Sequence, residues 1–210
     1  MDLFIYVFAA LFSVMNPLGT VPIFVGLTQE DTVKERSRTS LLTSINIFVI
    51  LVISFFTGKY LLGFFGISIE SLRIAGGLII VSSGFALLTG SFHKHKGMDK
   101  EKVKDDVHQR EGVSLTPLAI PMLAGPGSIS LLIGMQEKYG AVPDRLIIIS
   151  AILTACLATF LMLKSAHFIV KFLGASGINA ISRIIGFIVI AIGIEYISSS
   201  VMTVLGVVLR

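Results

Sequence analysis

Six apolar stretches, each long enough to cross a bilayer, take up most of this sequence. They run over roughly 3–27, 40–62, 70–91, 114–135, 145–164 and 178–205. A helix needs about 20 residues to cross the hydrocarbon. A backbone group in lipid has no water to bond with, so each stretch must close its own hydrogen bonds as a helix. The fold class that follows is an all-α membrane protein with six transmembrane helices and short loops. Charged residues are 14% of the chain, well below the roughly one quarter of a soluble domain. They gather between the stretches. The net charge of +4 then reflects basic loops at a membrane surface, not a nucleic-acid footprint.

Met1-Asp2 carries no basic lead and no small-residue cleavage site follows, so the first stretch is expected to remain as a span. The single cysteine, Cys156, falls mid-span and reads as a small buried apolar residue. Basic residues segregate by loop. Twelve fall in the loops containing Lys34–Arg38, Lys94–Arg110 and Lys164–Arg183, and five fall on the other side with both termini. The positive-inside rule puts the richer set in the cytoplasm and both termini outside. Tyr6, Tyr60 and Tyr139 fall near the outer interface in this arrangement.

The chain repeats itself about its longest loop, 92–113, which is dense in charge and holds His93, His95 and His108. No cysteine accompanies these histidines and no zinc-site spacing holds, so the loop reads as a solvated connector without a metal. On either side, "NPLG" at Asn16 matches "GPGS" at Gly125, "FFGIS" at Phe64 matches "FLGAS" at Phe172, and "LRIAGGLIIV" at Leu72 matches "SRIIGFIVIA" at Ser182. The offsets are 109, 108 and 110 residues. The chain therefore divides into a first repeat (1–91), the loop (92–113) and a second repeat (114–210). Each repeat has three spans, and an odd number inverts the second copy in the membrane. Two opposed copies can rock about a site at their interface, which is how secondary transporters are built.

Five of the six prolines fall in spans 1 and 4: Pro17, Pro22, Pro117, Pro121 and Pro126. Proline removes a helical N–H and clashes with the preceding turn, at a cost of about 3 kcal/mol or more. Both spans are therefore expected to be broken. In span 1 the reading is a first half-helix over 3–14, an unwound Met15–Gly19, and a second half-helix capped by Thr20 with Pro22 in its first turn. In span 4, "AGPGSIS" breaks the helix at Gly125-Pro126-Gly127, with Ser128 as the cap. The N–H groups of two half-helix N-termini would then meet near the midplane and favour an anion. Asn16, Pro17, Gly19, Thr20, Ala124, Gly125, Pro126, Gly127 and Ser128 are the candidate substrate-binding residues. Their small side chains suit a small zwitterion. The blander alternative is proline kinks used only for packing.

Three residues stand apart as candidates for coupling or gating. Glu195 lies inside span 6, where a carboxylate is costly unless paired, protonated or facing a cavity. Asn46 and Thr154 are repeat equivalents at an offset of 108; each can reach the site or bond between helices. Arg73 and Arg183 open spans 3 and 6 and are expected to anchor them at opposite faces, with a gate role as the alternative. No nucleophile–base constellation and no phosphate loop is present, so an enzyme is not expected.

"NPLGTVPIFVGLT" (16–28), "GISIESLRIAGGLI" (66–79), "TPLAIPMLAGPGSI" (116–129) and "GINAISRIIGFI" (177–188) resemble the MarC family of membrane proteins, which includes small neutral amino-acid transporters of the SnatA type. The likeness covers nearly the whole chain. It implies six spans in two inverted repeats, a cytoplasmic-membrane location and transport of glycine, alanine and similar amino acids. The expectation is thus a secondary transporter without a cofactor, driven by H⁺ or Na⁺. A channel built from the same broken helices is the alternative.

Overall fold

The apolar stretches fold as helices wherever the structure, a computed structural model, describes them: residues 2–29, 31–89, 118–119 and 123–206. In chain order these are α1 (Asp2–Met15), α2 (Pro17–Leu27), α3 (Val33–Phe65), α4 (Ile69–Thr89), α5 (Pro126–Lys138), α6 (Val142–Lys164) and α7 (Ala166–Val204). Four of them are long and apolar enough to cross a membrane alone: α3, α4, α6 and the Ser176–Val204 part of α7. α1 and α2 meet at a 41° bend and together form a fifth, broken candidate. α5 has 13 residues, too few to cross alone, and corresponds to the second half of the expected fourth span. Most of that span's first half, with Pro117 and Pro121, lies outside the described residues, as do the 92–113 loop and its histidines.

Local chemistry sets the ends of these helices. The Thr32 side chain accepts from the Glu35 N–H at 3.4 Å, and the Glu35 carboxylate accepts from the Thr32 N–H at 2.9 Å. This reciprocal box starts α3, with five residues, 28–32, between it and α2. The 33 residues of α3 span about 50 Å, longer than the roughly 30 Å hydrocarbon. Its first turns, with Lys34, Arg36 and Arg38, therefore stand outside the apolar layer. Arg36 reaches back from there and donates to the Thr28 and Gln29 carbonyls, each at 3.0 Å, closing the C-terminus of α2. α3 ends at Gly66 with φ 65°, and α7 breaks at Gly174 with φ 63° and ψ 175°. These are the two glycines matched by "FFGIS" and "FLGAS". Both take left-handed backbone that other residues avoid.

α4 and α7 form the closest helix pair. A Cβ on Gly77 would lie 2.8 Å from the Gly193 carbonyl, and one on Gly193 would lie 2.8 Å from the Gly77 carbonyl. Gly84 and Gly186 face each other in the same reciprocal way, again at 2.8 Å. The order of contacts makes the helices antiparallel. Without side chains at these points the two backbones touch, which is how helices associate in lipid, where apolar burial alone gives no drive. The core lies on the other side of this pair. Val7, Leu11, Phe24, Ile47, Leu51, Phe55, Leu132, Ile148 and Ile152 are fully buried there. Leu41, Ile45, Val49 and Ile53 instead form an exposed stripe down α3, facing where lipid would lie.

The seam yields a stability test. Gly84→Val is expected to cost about 2 kcal/mol through overpacking and to lower the melting temperature of the purified protein. Gly63→Val meets open space and, valine being a slightly better helix former than glycine, should leave the melting temperature unchanged or slightly raised. Equal shifts in a thermal-unfolding assay in detergent would contradict the close approach.

Candidate functional site

The first break is narrower than the prolines suggest. Helical hydrogen bonding runs through Asn16, whose N–H donates to the Phe12 carbonyl at 3.0 Å. Asn16 alone then turns left-handed, with φ 45° and ψ 61°, and α2 begins at Pro17. It is the one non-glycine residue at positive φ among the described residues. Asparagine tolerates this region better than most residues because its short amide can bond locally. It does so here: Oδ1 accepts from the Gly19 N–H at 3.2 Å. Asn16 therefore caps α2, and Thr20 does not. The Thr20 hydroxyl instead donates back to the Asn16 carbonyl at 3.4 Å. Met15 and Pro17–Gly19 stay helical, and Pro22 sits inside α2 rather than in its first turn. The sequence reading placed the cap four residues late because it spread the break over the whole motif.

The Gly19 N–H fixes which way the amide points, since it needs an acceptor. Nδ2 is left as a buried donor with no partner among the described residues. Asn16 is only 3% exposed. Gly19 is required by the same geometry, because a Cβ there would collide with the Asn16 amide.

The second break is built differently. The Ala124 N–H reaches the Ala119 carbonyl, five residues back, at 2.8 Å. This wide turn ends the preceding segment. Gly125 follows in extended backbone, φ −81° and ψ 173°, and α5 starts at Pro126 with no side-chain cap. The expected cap, Ser128, instead donates to the Leu123 carbonyl at 3.2 Å and ties the turn to the helix. The N-terminus of α5 is thus left without a side-chain acceptor, whereas that of α2 is answered by Asn16.

The two breaks are neighbours. A Cβ on Gly127 would lie 3.3 Å from Val14, two residues before Asn16, and 2.8 Å from Ile80 at the middle of α4. Of the nine candidate binding residues, Asn16, Pro17, Gly19, Thr20, Ala124, Gly127 and Ser128 are buried. Gly125 is half-buried and Pro126 is exposed. The prolines add acceptors: without N–H groups, Pro17 and Pro22 leave the Ser13 and Leu18 carbonyls without their usual i+4 donors. One buried amide donor, an uncapped helix N-terminus and released carbonyls therefore share one region.

The other candidates lie elsewhere. Thr154 is exposed on α6 and bonds its own helix, donating to the Ser150 carbonyl at 2.8 Å. Asn46 is half-buried on α3. Glu195 is exposed on α7. It sits two residues past Gly193, which puts it level with Ala75, about 7 Å along the axis from Ile80. Sequence reasoning missed several polar groups of the interior. Thr43 and Ser44 on α3 bury hydroxyls without partners among the described residues. Arg73 donates to the Gly134 carbonyl at 2.8 Å, Ser130 to the Leu72 carbonyl at 3.1 Å and Tyr196 to the Leu131 carbonyl at 3.2 Å. These three bonds fasten α5 to α4 and α7. The only sequence signal for them was the depth of the polar residues within apolar spans.

Together these features define a helical integral membrane protein with an unsatisfied polar break inside its bundle. The chain belongs to the MarC family of integral membrane proteins, whose family model matches residues 1–205. It is 37% identical over 209 residues to a UPF0056 membrane protein of Buchnera aphidicola subsp. Schizaphis graminum, covering 100% of this chain and 96% of the relative. It is 36% identical to the UPF0056 membrane protein YhcE of Escherichia coli K12, over 92% of this chain and 89% of the relative. It is 32% identical to the UPF0056 inner membrane protein MarC of Escherichia coli O1:K1 / APEC, over 90% of each. No solved structure matches it.

Asn16 can be tested without unfolding the break. Asn16→Gly keeps the left-handed turn and should cost only a few tenths of a kcal/mol, while Asn16→Ala should cost about 1–2 kcal/mol. Denaturation midpoints of the two variants check this, and equal midpoints would show that the backbone conformation is not the constraint.

Proposed function

We propose that this protein is a secondary transporter for small neutral amino acids of the glycine, alanine and serine class. The single observation that carries the reading is the buried Asn16 amide nitrogen, without a partner among the described residues, at a left-handed helix break. A lone buried polar donor costs about 1–3 kcal/mol, and strain of this kind persists where function uses it. A carboxylate supplies the acceptor that Nδ2 lacks and meets the uncapped N-terminus of α5. The released Ser13 and Leu18 carbonyls suit an ammonium group. Glycine, alanine and serine have side chains small enough for surroundings built from Gly19, Thr20, Gly127 and Ser128.

Alternating access between two inverted repeats is the mechanism we assign, and several features support it. α3 begins at Val33 and α6 at Val142, an offset of 109. Gly66 and Gly174, 108 apart, are both left-handed. The seam glycines pair as a two-fold axis in the membrane plane requires. Gly77 and Gly186 are 109 apart, as are Gly84 and Gly193, and each touches the other's counterpart. Gly84 also meets Ile190 while Gly193 meets Val81, again 109 apart. That register is one residue shorter than the 110 of the arginine match. On this reading the domains are 1–91 and 114–210 joined by 92–113, six spans cross the inner membrane, and both termini face outward. Transport is coupled to H⁺ or Na⁺ and needs no cofactor.

The test is counterflow in proteoliposomes preloaded with unlabelled alanine. Labelled glycine or alanine should accumulate transiently above its equilibrium level, and Asn16→Gly should reduce the initial rate at least about tenfold. Ion conductance with no counterflow for any small amino acid would replace the transporter with a channel.

A further inference from the structure

We infer that α5 is a gate between the Asn16 break and the Lys59 end of the bundle, that it is shut in this structure, and that Arg73 is the side chain that holds it shut. The inference rests on the transporter reading above and names the element that moves when the break opens to that end.

α5 fills the way from the break to the Lys59 end. Its N-terminus, Pro126–Ser128, belongs to the break. Its C-terminus carries Glu137, which pairs with Lys59 of α3 at 2.8 Å. Over 127–136 every residue is buried except Ile129, which is half-buried. The enclosed length is about 14 Å. α3, α4 and α1 pack around it. Glycines admit the close approach on two sides. A Cβ on Gly58 of α3 would overlap the Ile133 side chain, and one on Gly76 of α4 would overlap that of Ser130. At Gly134 the missing side chain is on α5 itself. Arg73 takes up that space, with Nε 2.9 Å from where a Cβ would stand.

Three side-chain bonds hold α5 in this seat, and each can part without stranding a backbone acceptor. Arg73 donates to the Gly134 carbonyl at 2.8 Å, Tyr196 to the Leu131 carbonyl at 3.2 Å, and Ser130 to the Leu72 carbonyl at 3.1 Å. All three carbonyls lie inside helices, where the N–H groups of Lys138, Met135 and Gly76 answer them four residues on. The side-chain bonds use the second lone pair. The cap on α2 is different, because Asn16 answers a Gly19 N–H at a helix start, where no helical partner exists. Of the three donors Arg73 alone is charged, so its bond is the strongest. It is half-buried and stands one turn into α4, where a long side chain can swing out to the headgroup layer. The Lys59–Glu137 pair is exposed on both sides and adds little.

The experiment reads access to the break from each membrane face, and it does not need transport. Ser128→Cys in a Cys156→Ala background places a reporter at the break, and Thr20→Cys gives a second one. Lys59→Cys in the same background marks the Lys59 face of sealed vesicles. A membrane-impermeant maleimide is applied to one face at a time. Arg73→Ala should speed labelling of the break from the Lys59 face about tenfold and leave the rate from the other face unchanged or slower. Arg73→Lys keeps a charged donor and should restore most of the protection. Gly134→Ala keeps the charge but crowds the guanidinium, and should shift the rate in the same direction as Arg73→Ala. Loosened packing would instead speed labelling from both faces. That result, or an unchanged rate from the Lys59 face, overturns the gate. One-sided opening in a protein that shows no counterflow of labelled glycine or alanine would keep the gate and remove the amino-acid reading. Normal counterflow without one-sided opening would keep that reading and remove the gate.

Discussion

Every backbone donor and acceptor inside a bilayer must find a partner within the protein, and this structure follows from where that demand is met and where it is not. α3, α4, α6 and the long part of α7 meet it by unbroken helical bonding. The glycine seam between α4 and α7 extends the same economy, since backbones that touch need no apolar drive to stay together. Arg36, Arg73, Ser130 and Tyr196 spend their polar atoms on main-chain carbonyls of neighbouring elements. These four side chains fasten the two half-helices, α2 and α5, to their neighbours.

Asn16 stands at the break itself. Its amide settles the local geometry with one oxygen and leaves its nitrogen unanswered in a buried place. The second break, touching the first through Gly127 and Val14, leaves a helix N-terminus uncapped. Two unlike solutions to the same topological problem thus offer positive potential to one small volume.

The sequence was legible at the level of single apolar helices because those depend on period and composition along the chain. The expected limits of spans 1, 3, 5 and 6 fall within a few residues of the observed helices. The positions of both breaks could be read from Asn16-Pro17 and Gly125-Pro126. Their internal geometry could not. Whether Asn16 or Thr20 caps α2 depends on one left-handed residue, and several residues in the motif tolerate that conformation. Ser128 resembles a cap by type and position, but its hydroxyl is drawn to the Leu123 carbonyl of the wide turn. The hold of Arg73 on Gly134 spans 61 residues of sequence, beyond the reach of any local pattern.

The claim on which the account turns is that the Asn16 break binds the carboxylate of a small amino acid. Equilibrium binding of labelled alanine to the purified protein tests it most directly, with propionate and ethylamine as competitors. The account predicts saturable binding that Asn16→Gly weakens, and that propionate displaces alanine better than ethylamine does. Saturable binding that is indifferent to Asn16→Gly, or that ethylamine displaces better, would contradict it.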